Sequence, residues 1–228
     1  MNPIIVALDV EDAAQALRLV EQLGDSVAFY KVGLELFAAE GPGVVRELTS
    51  RGKHVFVDLK MYDIGETVRR AAARVANLGA RFLTVHSSPQ VIRAALAGAA
   101  GSPLKILAVT VLTSFDDGDV ADLGYTGRTA AGLVEHFTAK GAAAGVDGFI
   151  CSPLELARVR AIAGPGAILV APGVRSAGAL QGDQKRVATP VEAVAAGANY
   201  LVIGREITRA SDPRAAAQRM LADLAAGS

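Results

Sequence analysis

The sequence is poor in the residues that carry redox and metal chemistry: it has one cysteine, three histidines and no tryptophan in 228 residues. A single cysteine makes no intrachain disulfide, and Cys151 sits in the apolar run GFICSP, which suits a packed core residue better than a nucleophile. His54, His86 and His136 are scattered without the short spacings of a zinc site, and only His86, at the end of an apolar run, is placed to approach a site. No metal is therefore expected. An excess of either charge is also missing, because 23 basic and 23 acidic side chains sum to zero. That balance leaves no electrostatic footprint for nucleic acid or an anionic membrane surface. No apolar run approaches the roughly 18 residues of a membrane span, and MNPIIVALDV lacks a basic segment followed by a long apolar one. Neither a membrane span nor a signal peptide is expected, and the cytoplasm is the expected compartment. Linkers and charge runs are absent as well, and the Ala-rich stretches at 94–100 and after Ala215 read simply as helix formers. With 51% hydrophobic residues and no dividing segment, residues 1–228 read as a single domain around one large core.

What the chain does contain is an alternation of short apolar runs with longer amphipathic ones. Strands are expected at 4–10, 29–32, 55–59, 82–86, 106–112, 149–151, 168–171 and 200–203. Helices are expected at 11–23, after Pro42, from Gly65 through Leu78, from Pro89, within 127–144, from Pro153, around 190–196 and after the cap formed by Ser211, Asp212 and Pro213. Eight strand and helix pairs in a chain of this length make a (β/α)8 TIM barrel, with a doubly wound sheet as the alternative. Two connections, 113–127 and 173–189, exceed the usual loop length, and both follow strands.

Residues 55–67, VFVDLKMYDIGET, form the stretch around which the rest is organised. Val55, Phe56 and Val57 suit a buried strand, and Asp58, Lys60 and Asp63 then follow within six residues at its carboxyl end. On extended backbone Asp58 and Lys60 point the same way. Opposite charges at a buried mouth are costly unless paired, which points to chemistry, although a solvated charge cluster on a loop is the commoner fate of a D-x-K triplet. Other strand ends add to it: Asp9 after strand one, Lys31 on strand two, Thr113 after strand five, Gly173 and Arg175 after strand seven, and Gly204 and Arg205 after strand eight. In a barrel, that ring of positions is where a site is built. PGVR and IGRE occupy the two loops with which barrels often hold phosphate, since glycine admits close backbone approach and an arginine fork matches phosphate oxygens. A phosphorylated small molecule is the implied ligand. Phe115 and Tyr125 read as packing residues rather than base-stacking platforms.

These motifs, in order, resemble the orotidine 5'-phosphate decarboxylase family over nearly the whole chain. The matching residues are A-L-D at 7–9, K-V-G at 31–33, D-L-K-x-x-D-I at 58–64 with Thr67, V-T-V-L-T-S at 109–114, P-G-V-R at 172–175, G-D-Q at 182–184 and I-G-R at 203–205. The resemblance implies a cofactor-independent homodimer with shared active sites that acts on a small-molecule nucleotide. It places Asp58 beside the substrate carboxylate and Lys60 near the pyrimidine carbon that loses CO2 and receives a proton. Lys31 and Asp9 would contact the ribose, with Lys31 completing the line of alternating charge. Asp63 and Thr67 would enter the neighbouring subunit's site. Thr113 would meet the pyrimidine edge, and Arg175, Gln184, Gly204 and Arg205 the phosphate. Gly65 and Glu66 depart from the family pattern, where Pro and Asn are common, so the turn after Ile64 is expected to be looser. Two other readings stand beside this one: a phosphosugar enzyme of the same barrel type, magnesium-dependent or an epimerase, for which Gly65 is the best support, and a non-enzymatic barrel that binds a phosphorylated ligand.

Overall fold

Eight parallel strands close on themselves in the sequence order β1 to β8, each hydrogen-bonded to the next and β8 returning to β1, in a computed structural model that describes residues 2–176 and 188–227. The strands are β1 Ile4–Ala7, β2 Phe29–Val32, β3 His54–Met61, β4 Phe82–His86, β5 Lys105–Val109, β6 Gly148–Ile150, β7 Ile168–Ala171 and β8 Tyr200–Ile203. Among the described residues the helices are α1 Ala13–Leu23, α2 Leu34–Glu40, α3 Gly43–Ser50, α4 Gly65–Ala76, α5 Pro89–Ala99, α6 Asp117–Asp122, α7 Ala130–Ala143, α8 Leu156–Ala163, α9 Pro190–Ala195, α10 Arg205–Thr208 and α11 Pro213–Ala226. This is the expected (β/α)8 TIM barrel. None of these helices is long and apolar enough to cross a membrane.

The period of two along each strand divides the apolar residues into two cores. One set, including Val6, Val55, Val57, Leu83, Val85 and Leu169, faces the helices and packs with residues such as Val20 of α1 and Val68, Ala72 and Val75 of α4. The other set fills the barrel interior: Ile5, Ala7, Phe29, Phe56, Phe82, Leu107, Val109, Ile150, Val170, Tyr200 and Val202. Phe29, Phe82 and Tyr200 meet edge to face or tilted at 5.0 to 5.5 Å between ring centres, closing the amino-terminal end of the barrel. The same alternation fixes what lies one layer higher. Two residues beyond Phe29, Phe56 and Phe82 stand Lys31, Asp58 and Thr84, polar groups that the pleat turns toward the carboxyl-terminal mouth.

Several boundaries differ from expectation, each for a local reason. β1 stops at Ala7 rather than residue 10, because the chain must turn to let the Asp12 side chain cap α1 by accepting from the Gln15 amide at 2.7 Å. β5 stops at Val109, so Thr113 stands on the loop beyond it. The 113–127 connection contains α6, which begins in a reciprocal capping box between Asp116 and Asp119, so the acidic DDGD run is a helix start and not an unstructured loop. The short helices α2 and α10 were not foreseen, since neither is long enough to display a helical period. As expected, Asp212 caps α11, with Pro213 at its first turn.

Candidate active site

At the carboxyl-terminal mouth four charges form one line. Lys31 Nζ lies 2.8 Å from Asp9 Oδ1 and 3.7 Å from Asp58 Oδ2, and Lys60 Nζ lies 2.9 and 3.0 Å from the two Asp58 oxygens. Sign alternates along it: Asp9, Lys31, Asp58, Lys60. The middle pair is the most enclosed, with side chains 11% exposed for Lys31 and 12% for Asp58. Ions so enclosed persist because each neighbour is of opposite sign; removal of either would strand the other.

Lys60 reaches Asp58 by a route that differs from the extended strand expected of D-x-K. β3 pairs with β4 at Val57 with Leu83 and again at Met61 with Val85, so three residues of β3, 58–60, bulge opposite the single residue Thr84. Within the bulge Lys60 has φ of 47°, the one non-glycine residue with positive φ among the described residues. A left-handed L-residue costs about 1–2 kcal/mol, so contacts must hold it there. Its ammonium still returns to Asp58.

The line of charge forms one wall of a cavity of about 520 Å³, within the range of small-molecule sites, whose apolar floor is Ala7, Phe56, Val109, Ile150 and Val202. Thr113 and Ser114 stand on a second side; Arg175, Gly204, Arg205 and Arg209 stand on a third. Gly173 has φ of 76°, a turn that glycine makes without strain and that carries Val174 and Arg175 to the rim. A backbone bridge from Val174 to Ala188, with the Arg175 amide donating to the Ala188 carbonyl at 3.0 Å, brings the two ends of the 177–187 connection together. The Arg175 Nε is buried without a hydrogen-bond partner among the described residues, a donor suited to an anion. Gln184 lies outside the described residues.

Asp63 and Thr67 do not join this group within one chain. Both are exposed, and among the described residues the Asp63 carboxylate accepts from the adjacent Ile64 amide, at 2.6 Å. Tyr62 and Ile64 on either side of it are 71% and 75% exposed, large apolar side chains bracketing a carboxylate that does not line the cavity of its own chain. Gly65, where a looser turn was expected, is the first residue of α4, and Glu66 in that first turn is held by Arg69 and Arg70 at 2.7 to 2.8 Å. Those two guanidiniums hold the Glu66 carboxyl at a pKa of about 2. An added Cβ at Gly65 would meet Ala94 and Gln90 at 3.7 Å, ordinary contact, and Ile64 already has the extended backbone that precedes proline. Gly65→Pro is accordingly expected to raise the melting temperature by about 1–4 °C through a stiffer unfolded chain, with activity unchanged, as a thermal melt would record.

His86 is half-buried and lines an adjoining apolar pocket of about 350 Å³ that shares Val111 and Leu112 with the main cavity, so it stands beside the site and not in it. Burial, and secondarily the Lys60 charge, holds its pKa below the usual histidine value. His54 opens β3 at the far end of the barrel, edge-on to Phe29 at 5.7 Å, and His136 lies in α7. Cys151 is fully buried, and Tyr125 packs edge-on against Phe137 at 6.2 Å. Among the described residues no group of three or more His, Cys, Asp or Glu side chains is arranged to hold a metal ion. Three residues of the region escaped the sequence reading: Thr84, Glu35 and Arg209.

A family model described as Orotidine 5'-phosphate decarboxylase / HUMPS family matches residues 2–220. An "Orotidine 5'-phosphate decarboxylase" of Afipia carboxidovorans is 52% identical over 222 residues, covering 97% of this chain and 94% of the relative. A protein of the same name from Rhodopseudomonas palustris is 52% identical over 223 residues, covering 98% and 94%. Among solved structures, orotidine 5'-phosphate decarboxylase from Lactobacillus acidophilus superposes with a TM-score of 0.87 at 37% identity, covering 98% of this chain and 99% of the other. An uncharacterized conserved protein from Geobacillus kaustophilus gives 0.84 at 33% identity, covering 97% and 100%.

Proposed function

The chain belongs to the Orotidine 5'-phosphate decarboxylase / HUMPS family, as an enzyme of the orotidine 5'-phosphate decarboxylase kind, and we propose that it converts orotidine 5'-phosphate to uridine 5'-phosphate without a cofactor. In this reading it performs the last step of de novo UMP synthesis, in the cytoplasm, as a homodimer. The observation that carries the proposal is the alternating line from Asp9 through Lys31 and Asp58 to Lys60 at the mouth of a nucleotide-sized cavity.

The chemistry asks for such a line. When the bond between the ring carbon and the carboxylate breaks, CO2 leaves and the electron pair stays on carbon, so a cation has to stand where that charge develops. Lys60 supplies the cation and then gives one of its protons to the carbon, leaving uridine 5'-phosphate. Asp58 has two tasks: it holds the Lys60 ammonium through both its oxygens, and it stands beside the substrate carboxylate, where mutual repulsion is relieved as CO2 departs. Lys31 and Asp9 take the ribose hydroxyls, and Thr113 the pyrimidine edge. Arg175, Gly204 and Arg205, with Gln184, take the phosphate, whose binding energy aligns the reacting end. Asp63 and Thr67 serve the site of a second copy, which is why Asp63 stands exposed between Tyr62 and Ile64 in one chain. Gly65, the best support for a phosphosugar enzyme, occupies an unremarkable helix start, and the curated relatives named above are decarboxylases of the nucleotide.

Purified protein treated with a chelator and mixed with orotidine 5'-phosphate is expected to change the ultraviolet absorbance of the pyrimidine as the carboxyl group is lost. Turnover only after magnesium is restored would shift the reading to the phosphosugar enzymes, and binding without turnover would shift it to a binding protein. Arg205→Ala tests the phosphate end. It should weaken uridine 5'-phosphate binding by about 10- to 100-fold, the loss of a charge-assisted hydrogen bond, and leave uridine binding nearly unchanged by calorimetry. Equal losses for nucleotide and nucleoside would sink that assignment.

A further inference from the structure

We propose that Thr84 is a positioning residue for the Asp58 and Lys60 pair; the inference rests on the function proposed above. Thr84 is fully buried and is the one residue of β4 opposite the bulge at 58–60, where the strand ladder cannot continue. Its hydroxyl replaces the ladder with two hydrogen bonds. Oγ1 accepts from the Lys60 backbone amide at 3.0 Å and donates to Asp58 Oδ1 at 2.8 Å. A hydroxyl has one proton, and the carboxylate can only accept, so the directions are fixed. One oxygen therefore holds the backbone of the cation-bearing residue and the carboxylate that the cation touches.

This contact accounts for two features that the charges do not. Lys60 stands in the left-handed region, a conformation that attraction between side chains alone does not require. Anchoring its amide to β4 is what selects it. Lys60 touches both Asp58 oxygens and so does not distinguish them, whereas the Thr84 proton binds Oδ1 alone and leaves Oδ2 toward Lys31. Leu83 and Val85, the neighbours of Thr84, face the helix layer, so no other side chain of β4 stands at this point. Buried as the hydroxyl is, solvent has no access with which to replace it.

Thr84→Val keeps the shape and removes both hydrogen bonds, and Thr84→Ser keeps the hydroxyl and removes the methyl. Thr84→Val is expected to lower kcat by about 10- to 100-fold, the scale of a small misplacement of reacting groups, while KM and the Kd for uridine 5'-phosphate stay within about 3-fold. Thr84→Ser is expected to retain kcat within about 3-fold. Hydrogen exchange of the Lys60 amide adds a readout independent of the reaction: slow in wild type and Thr84→Ser, faster in Thr84→Val. Wild-type kcat in Thr84→Val, equal loss in the serine variant, a loss confined to KM and uridine 5'-phosphate affinity, or unchanged Lys60 exchange would each overturn the proposal. Should the valine variant not fold, Thr84→Ala, which introduces no clash, is read by the same measures. Absence of orotidine 5'-phosphate turnover in wild type would count against the proposed function alone, and the exchange measurement would still decide the role of Thr84.

Discussion

Lys60→Ala is expected to leave a folded barrel and to lower orotidine 5'-phosphate turnover by at least about 10² to 10⁴, the range for loss of a general acid, with the loss in kcat rather than in KM. The reason lies in what remains. Without the ammonium, the cavity still has the groups proposed to take the phosphate, Arg175, Gly204 and Arg205, and those proposed to take the ribose, Asp9 and Lys31, so substrate should bind. What is missing is the cation on the far side of Asp58, and Lys31, 3.7 Å from Asp58 Oδ2, already holds Asp9 at 2.8 Å. Lys31 is not free to move to the reacting carbon without abandoning Asp9. The fold should tolerate the change, because Asp58 retains Lys31 and the Thr84 hydroxyl, and the Lys60 side chain is 30% exposed. Steady-state kinetics beside a thermal melt separate the two effects. Turnover like that of wild type in a folded Lys60→Ala protein would remove Lys60 from the mechanism.

The barrel and most of its charged mouth were legible because both follow from short-range rules. Strands such as 82–86 and 200–203 are apolar runs bounded by turns, and their limits agree with the structure residue for residue. The period of two then carries Lys31 and Asp58 from the aromatic layer to the mouth. What was hidden depends on pairing between strands. The bulge at 58–60 is a mismatch between β3 and β4, and nothing within VFVDLKM announces it. Thr84 was concealed by its own chemistry: threonine favours strands, so FLTVH reads as an ordinary strand although its middle residue holds the carboxylate of Asp58. Glu35 reaches the cavity from the first turn of α2 and Arg209 from the residue that ends α10, elements too brief to leave a periodic signature. Asp63 is the opposite case. Its type and spacing were plain, but its exposed position shows that one chain does not bring it to its own cluster.

That exposure leads to the largest gain of activity expected of any experiment on this protein. Asp63→Ala and Lys60→Ala proteins, each nearly inactive alone, should regain activity when mixed under conditions that let subunits exchange. In a dimer with shared sites, each site draws Lys60 from one chain and Asp63 from the other. A hybrid of the two variants therefore has one site that carries both substitutions and one that carries neither. Random exchange makes about half the dimers hybrids, each with one intact site of two, so roughly a quarter of wild-type activity should return. The recovery should rise with the hybrid fraction, which differently tagged chains would measure by native mass spectrometry. Two sites complete within single chains give a different result, since mixing then adds nothing to the sum of the separate proteins. Demonstrated hybrids without recovered turnover would place Asp63 outside the partner's site. The exposed Tyr62 and Ile64 would then need another reason to stand in solvent beside a carboxylate, and a barrel with Asp9, Lys31, Asp58 and Lys60 alone would have to suffice for the chemistry.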